Sequence, residues 1–141
     1  MAVNVIYKTS ATATGGRDGA ARSDDGSVDV KLVVPKEMGG PGGEGANPEK
    51  LFAAGYSACF LGAMKAVSGK VGVKVPSDAT VTAEVGFGPR EEGGYGITAD
   101  LTVNLPGVDK AEAQKLVEAA HEVCPYSNAT RNNVDVGLHL A

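Results

Sequence analysis

A chain of 141 residues with 13 basic and 17 acidic side chains is long enough for one domain with a proper core, and its formal charge of −4 offers no basic stripe. Nucleic acid and anionic membrane surfaces are therefore poor partners. The start, Met1 to Ser10, alternates like a strand and lacks a signal peptide's apolar region, so a cytoplasmic protein is the default. In a reducing compartment a disulfide is more often transient and redox-active than a static staple, which gives the two cysteines their interest.

Val3, Val5 and Tyr7 alternate with Asn4, Ile6 and Lys8, which predicts a strand running toward Ala13. Thr14 to Gly19 is a glycine-rich turn that carries Arg17, and Asp25-Gly26 is a second turn signal. Val28, Val30, Leu32 and Val34 alternate as the next strand, so the two strands are expected to form a wide hairpin. Pro35 to Ala46 reads as a flexible connection.

The central element follows. Asn47 is a good N-cap, Pro48 suits the first helical position, and Glu49 sits where the helix dipole favours a carboxylate. No charged residue occurs from Leu51 to Met64, so the helix is apolar on every face and reads as a buried one. The fourteen uncharged residues between Lys50 and Lys65 fall short of the roughly 20 that span a bilayer.

Beyond it, Val71 to Val75 is a short segment ending at Pro76. Val81, Ala83, Val85 and Phe87 form one face of a strand, Pro89 to Gly94 a hairpin loop, and Tyr95 to Leu105 its partner strand, with Thr98, Asp100, Thr102 and Asn104 on the wet face. Asp109 caps a second helix with Glu112 in a capping box, and Ala113, Leu116, Val117, Ala120, Val123 and Cys124 make its apolar stripe. Pro125 ends regular helix there or nearby, and Tyr126 to Asn133 reads as a turn or short helical piece. Val134, Val136, Leu138 and Leu140 form the last strand. The order is ββαββαβ, an α+β domain spanning residues 1–141. A core helix apolar on all sides is more than a few modest strands and one amphipathic helix can cover, so a homodimer that wraps two such helices together is expected.

Cys59 and Cys124 lie 65 residues apart, which excludes a short metal-ligand spacing. Each falls on the apolar face or at the end of a helix. Two readings stand: unrelated core cysteines, or sulfurs that meet where the helices pack. A thiol in an apolar helix middle has a raised pKa unless a cation lies nearby. Arg17 can supply one if it is not simply a solvated turn residue. At about 4 Å and an effective dielectric near 20 such a cation contributes at most ~4 kcal/mol, or up to ~3 pKa units. Glu49 either caps its helix alone or also holds the Arg17 guanidinium by a two-pronged contact. Glu49 and Cys59 are ten residues apart on one helix, about 15 Å along its axis. If Arg17 and Glu49 serve Cys59 together, some of them come from a partner chain.

Gly40 to Gly45 matches a dinucleotide-binding glycine pattern only on paper, because it lacks a βαβ setting and Lys65 stands where an acidic residue is needed. His121 and Cys124 have H-x-x-C spacing, but two ligands do not make a zinc site. A Cys–His hydrolase would need His121 beside Cys59, a weaker reading, and His139 points away from the last strand's apolar face.

The segments Asn47–Phe60, Ala120–Asn133 and Ala11–Gly19 together resemble the organic hydroperoxide resistance proteins, one branch of the wider OsmC-type superfamily. The likeness runs over essentially the whole chain, in the same order. It implies an intertwined homodimer, with antiparallel sheets around central apolar helices, and a thiol peroxidase that acts on alkyl and fatty-acid hydroperoxides in defence against oxidative stress. Cys59 matches the peroxidatic cysteine and Cys124 the resolving one, the two forming a redox-active disulfide. Arg17 matches the arginine that activates the thiolate and Glu49 the carboxylate that holds it. No bound cofactor or metal is implied. The reductant is an external dithiol, typically a free or protein-bound dihydrolipoyl group. Phe52 and Tyr126 are expected among the apolar side chains that favour greasy substrates. The competing classes are a binding module for a small apolar ligand and a peroxide sensor, the latter without a DNA-binding helix pair.

Overall fold

Arg17 is presented by a turn that only glycine makes easily. In the computed structural model, which describes residues 2–141 as two units divided after Pro48, Gly15 and Gly16 have φ of 73° and 65°. A side chain there would be strained. Residues Gly16–Asp18 form one 3-10 turn, and a Cβ on Gly19 would collide with the Thr14 carbonyl. The turn joins β1 (Ala11–Thr14) to β2 (Ala20–Ser23), and β3 (Asp29–Lys31) completes an antiparallel sheet in the order β1-β2-β3.

This first unit differs from expectation in three ways. The alternating run from Val3 to Tyr7 lies outside the strands, and Val3, Val5, Ile6 and Tyr7 are all exposed, Ile6 by 94%. A strand needs a partner opposite it, and the β1–β2 ladder begins only at the Ala11–Ser23 pair, so residues 3–7 have none among the described residues. The sequence Ala20–Ser23 has too little apolar content to signal a strand by pattern, so the wide hairpin becomes three strands. The connection from Pro35 to Ala46 is folded back on β3 rather than loose. Gly42 N–H donates to the Val34 carbonyl, Ala46 N–H to Lys31 and Val33 N–H to Ala46.

In the second unit, α1 (Pro48–Val71) starts at the proline that favours a first helical position. It stops at Gly72, whose φ of 77° lets its N–H and that of Val73 turn back onto the Ser68 carbonyl. Val71 to Val75 forms no strand, although Val73 is buried. The helix is long and apolar enough, by length and composition, to cross a membrane. Its stripe of Tyr56, Phe60, Ala63, Met64 and Val67 is instead packed into the core. The burial is one-sided: Leu51, Ala54, Ala58 and Gly62 on the other side are exposed, so the all-round burial expected of it is not met within one chain.

The hairpin is as expected. β4 (Thr80–Pro89) and β5 (Tyr95–Asn104) pair antiparallel, with Ala83 opposite Leu101. Ala99, Leu101 and Val103 are buried, while Thr98, Asp100, Thr102 and Asn104 are exposed. Asp109 caps α2 (Lys110–Val123) by accepting from the Ala111 N–H at 3.2 Å. Pro125 ends α2 but opens another helix, α3 (Pro125–Thr130), as a first-position proline can. The last strand, β6 (Val136–Leu140), joins β5 in parallel, giving the order β4-β5-β6. A parallel neighbour needs a long crossover, and α2 with α3 supplies it. The class is α+β with two sheets and three helices, in the order βββαββααβ rather than ββαββαβ.

Candidate active site

The fully buried face of α1 meets the corner between α2 and α3. Cys124 closes α2 and opens α3 with φ −64° and ψ 123°, an extended conformation between two helices. Its N–H donates to the Ala120 carbonyl at 2.9 Å, and its own carbonyl accepts from the Asn128 N–H at 2.9 Å. That conformation carries its sulfur to within 3.5 Å of the Cys59 sulfur, with both cysteines as free thiols. The 65-residue separation thus resolves into the reading in which the sulfurs meet.

The two thiols are not equivalent. Cys124 is completely buried, whereas Cys59 is partly accessible. Burial pushes the Cys59 thiol up, and the adjacent Cys124 pushes it the same way. The Tyr126 backbone N–H, directed at the Cys59 sulfur, acts against them. Pro125 has no N–H, so Tyr126 contributes the first amide of α3.

Aromatic side chains pack between the same two segments. Phe52 stacks on Tyr126 with centroids 5.7 Å apart, and Tyr56 tilts against Tyr126 at 5.6 Å. Gly55 makes this possible, because a Cβ there would lie 2.7 Å from the Tyr126 hydroxyl. Phe60 lies one turn further along α1, 6.5 Å from the His121 ring. The contacts run antiparallel: residues later in α1 meet residues earlier in the α2–α3 corner.

A hydrogen-bonded chain lies in the same layer. The Tyr56 hydroxyl is 2.8 Å from Ser127 Oγ and 3.2 Å from Thr130 Oγ1. Ser127 Oγ is also 2.8 Å from His121 Nδ1. Thr130 Oγ1 is also 3.2 Å from the Ser127 carbonyl, and its one proton can serve either that carbonyl or the Tyr56 oxygen. With neutral His121 accepting at Nδ1, Ser127 donates to the ring and accepts from Tyr56. Burial, and then the Arg131 charge, lowers the basicity of His121, against a smaller opposing effect of Glu122. Arg131 bridges the Asn128 side chain and the His121 carbonyl, each at 2.6 Å, fastening the end of α2 to α3. No signal in the sequence marks this chain, since Tyr56 and Ser127 are 71 residues apart.

His121 is thus engaged with Ser127, which removes the hydrolase reading in which it serves Cys59. His139 is exposed and pairs with Asp100 at 2.9 Å. Among the described residues, no group of three or more His, Cys, Asp or Glu is placed to hold a metal ion. Glu49 is half-buried in the first turn of α1, and Arg17, also half-buried, lies in the Gly16–Asp18 turn of the first unit. A concavity of about 720 Å³ opens between the end of the β4–β5 hairpin and residues 133–135, and neither cysteine lines it.

The family model of OsmC-like proteins matches residues 40–139. An organic hydroperoxide resistance protein of Xanthomonas axonopodis pv. citri is 56% identical over 137 residues, covering 97% of this chain and 96% of that protein. The crystal structure of an organic hydroperoxide resistance protein from Elizabethkingia anophelis superposes with a TM-score of 0.91 at 49% identity, covering 99% of each chain. That of OhrB from Bacillus subtilis does so with a TM-score of 0.87 at 44% identity, covering 97% of this chain and all of the other.

Proposed function

Because the chain belongs to the organic hydroperoxide resistance proteins of the OsmC-like family, we propose that it is a cysteine peroxidase in which Cys59 reduces organic hydroperoxides and Cys124 resolves the product. The observation that carries this reading is the pair of unequal thiols 3.5 Å apart. A peroxide arriving from solvent finds Cys59 partly open and Cys124 closed off, so the first oxidation falls on Cys59. The Cys59 thiolate attacks one peroxide oxygen, the O–O bond breaks, and the alkoxide leaves as an alcohol after taking a proton. Cys59 becomes a sulfenic acid. The Cys124 sulfur then displaces its hydroxyl, which leaves as water, and a disulfide forms. Two thiols lose two electrons and the peroxide gains them.

The thiolate has to be made against burial, which raises the Cys59 pKa. Arg17 is the cation we assign to this task and to the hydrogen bond that aids alkoxide departure, with Glu49 orienting the guanidinium. Glu49 stands about 15 Å along α1 from Cys59, so the arginine–glutamate pair serving one Cys59 includes groups from a second copy. A homodimer would also cover Leu51, Ala54, Ala58 and Gly62 on α1 and the exposed Val3, Val5, Ile6 and Tyr7. Phe52 and Tyr126 give the approach to Cys59 an apolar wall suited to alkyl and fatty-acid hydroperoxides. An external dithiol, of the dihydrolipoyl class, restores both thiols in the cytoplasm and completes a defence against peroxide stress.

The test is to add one equivalent of tert-butyl hydroperoxide to the reduced protein and weigh it intact. Loss of two hydrogens is expected, absent in Cys59→Ser, while Cys124→Ser retains an added oxygen on Cys59. An unchanged mass in the wild type would overturn the peroxidase and leave a module that merely binds an apolar ligand.

A further inference from the structure

We propose that Tyr56 is a positioning residue for disulfide closure: its buried hydroxyl, bonded to Ser127, holds the α2–α3 corner so that Cys124 stands over Cys59. The inference rests on the reading of the two cysteines as peroxidatic and resolving.

Tyr56 and Ser127 are completely buried, and Thr130 nearly so. The bond between Tyr56 and Ser127 stands beside the sulfur pair in a fixed relation. Cys59 follows Tyr56 by three residues on α1, and Ser127 follows Cys124 by three residues across the corner. The 2.8 Å hydroxyl contact and the 3.5 Å thiol contact are therefore neighbouring rungs between the same two segments. The corner needs such a rung, because the extended Cys124 interrupts the helical ladder between α2 and α3. Pro125, with no N–H, adds no bond there. His121, through Ser127, and Arg131, through Asn128 and the His121 carbonyl, tie the corner to itself. The Tyr126 N–H and the Cys124 thiol meet the Cys59 sulfur itself, and one turn away the Tyr56 hydroxyl ties the corner to the same helix.

Closure draws the sulfurs from 3.5 Å to a bond of about 2.05 Å. A tethered corner keeps the Cys124 sulfur in near-attack range, which raises its effective concentration at the sulfenic acid. A freed corner spends less time there, and the waiting sulfenic acid meets a second peroxide. That competing step converts Cys59–SOH and one hydroperoxide into a sulfinic acid and an alcohol. The role of Tyr56 is thus visible as a partition between disulfide and sulfinic acid, which a general loss of stability does not alter.

Tyr56→Phe keeps the ring and its packing and removes only the hydroxyl. Ser127→Ala cuts the same rung from the other side. Each reduced variant is mixed with excess tert-butyl hydroperoxide and followed by intact mass, with the first oxidation timed separately by loss of free Cys59 thiol. The expected result in both variants is a first oxidation within about twofold of wild type and disulfide closure slowed about tenfold, the order that one hydrogen bond is worth. The sulfinic product rises accordingly. A wild-type partition in both variants overturns the role of Tyr56 and leaves the peroxidase reading intact. So does a parallel slowing of both steps, which marks a merely structural bond. A wild type that never loses two hydrogens overturns the peroxidase reading and this inference together.

Discussion

Among the described residues of the first unit, only Leu32 and Asn47 are buried, and both lie outside strands β1 to β3. In the second unit, Leu101 and Val103 of β5 join Tyr56, Phe60 and Met64 of α1 and Leu116 and Val117 of α2 in one cluster. The region carrying the sulfurs is therefore held by packing. The region carrying Arg17 is held by backbone: glycine turns, ladder bonds and short polar loops. The difference teaches that the cysteine geometry is built in with the fold, whereas the half-buried Arg17 sits on a glycine turn in a unit with few buried side chains.

Mutations separate these two kinds of support. The largest effect should come from Phe60→Ala, where loss of a fully buried ring costs roughly 3–5 kcal/mol in chemical denaturation. The half-buried Val30→Ala in the first sheet should cost under about 1 kcal/mol, and equal losses would erase the contrast. Next, Arg17→Met should leave unfolding almost unchanged while it moves the alkylation profile of Cys59 to higher pH. A slowing of peroxide reduction of about 100-fold, near 2.7 kcal/mol, is expected. A normal profile and rate would exclude Arg17 from the chemistry.

Gly55→Ala tests the packed side again, since a methyl would drive into the Tyr126 ring at a cost of about 1–3 kcal/mol. The same displacement should slow disulfide closure, because Tyr126 follows Cys124 at the corner. Unchanged melting would show that the ring moves aside freely.

The smallest effect concerns the β2–β3 turn. There the Asp25 carboxylate accepts from the Ser27 N–H at 3.0 Å and from the Ser27 and Ser23 hydroxyls at 2.7 and 2.8 Å, and these bonds lower its pKa from 3.8 to about 2. A carboxyl held below its unfolded value stabilises the fold fully above that value, and the stabilisation fades as pH falls toward the folded one. Asp25→Asn should remove a slight dependence of melting temperature on pH between 3.8 and about 2, with no difference in pH dependence from wild type above it. Because Asp25 is fully exposed, the change should stay small, and a large one would mean that the turn supports more than itself.

What was legible in the sequence was whatever repeats at a fixed period. The alternation of β4 and β5 and the capped stripe of α2, apart from the exposed Val123, declare their elements and their buried faces, whereas the uncharged run of α1 declares a core helix but not which of its sides is buried. Strand β2 was hidden because Ala20–Ser23 has no such period and owes its existence to the glycine turn before it. Helix α3 was blurred because Pro125 reads first as a stop, although the same residue is a good start. The parallel placement of β6 follows from the crossover through α2 and α3, not from its own residues. At the site, the motif wording singled out Cys59, Cys124, Arg17 and Glu49, while Tyr56, Ser127 and Thr130, which lie in the same segments, drew no role. A hydroxyl's partner is chosen by the fold, and nothing local to Tyr56 names Ser127.

One residue, Cys124, both terminates a helix and begins the next, so the phases of α2 and α3 are coupled through a single extended peptide unit. An inserted or deleted residue in the last turn of α2 would swing everything after it by about 100° about the helix axis. The sulfur would then face away from its partner although every side chain at the corner were preserved. The length of the corner is therefore as much a part of the site as the side chains it carries.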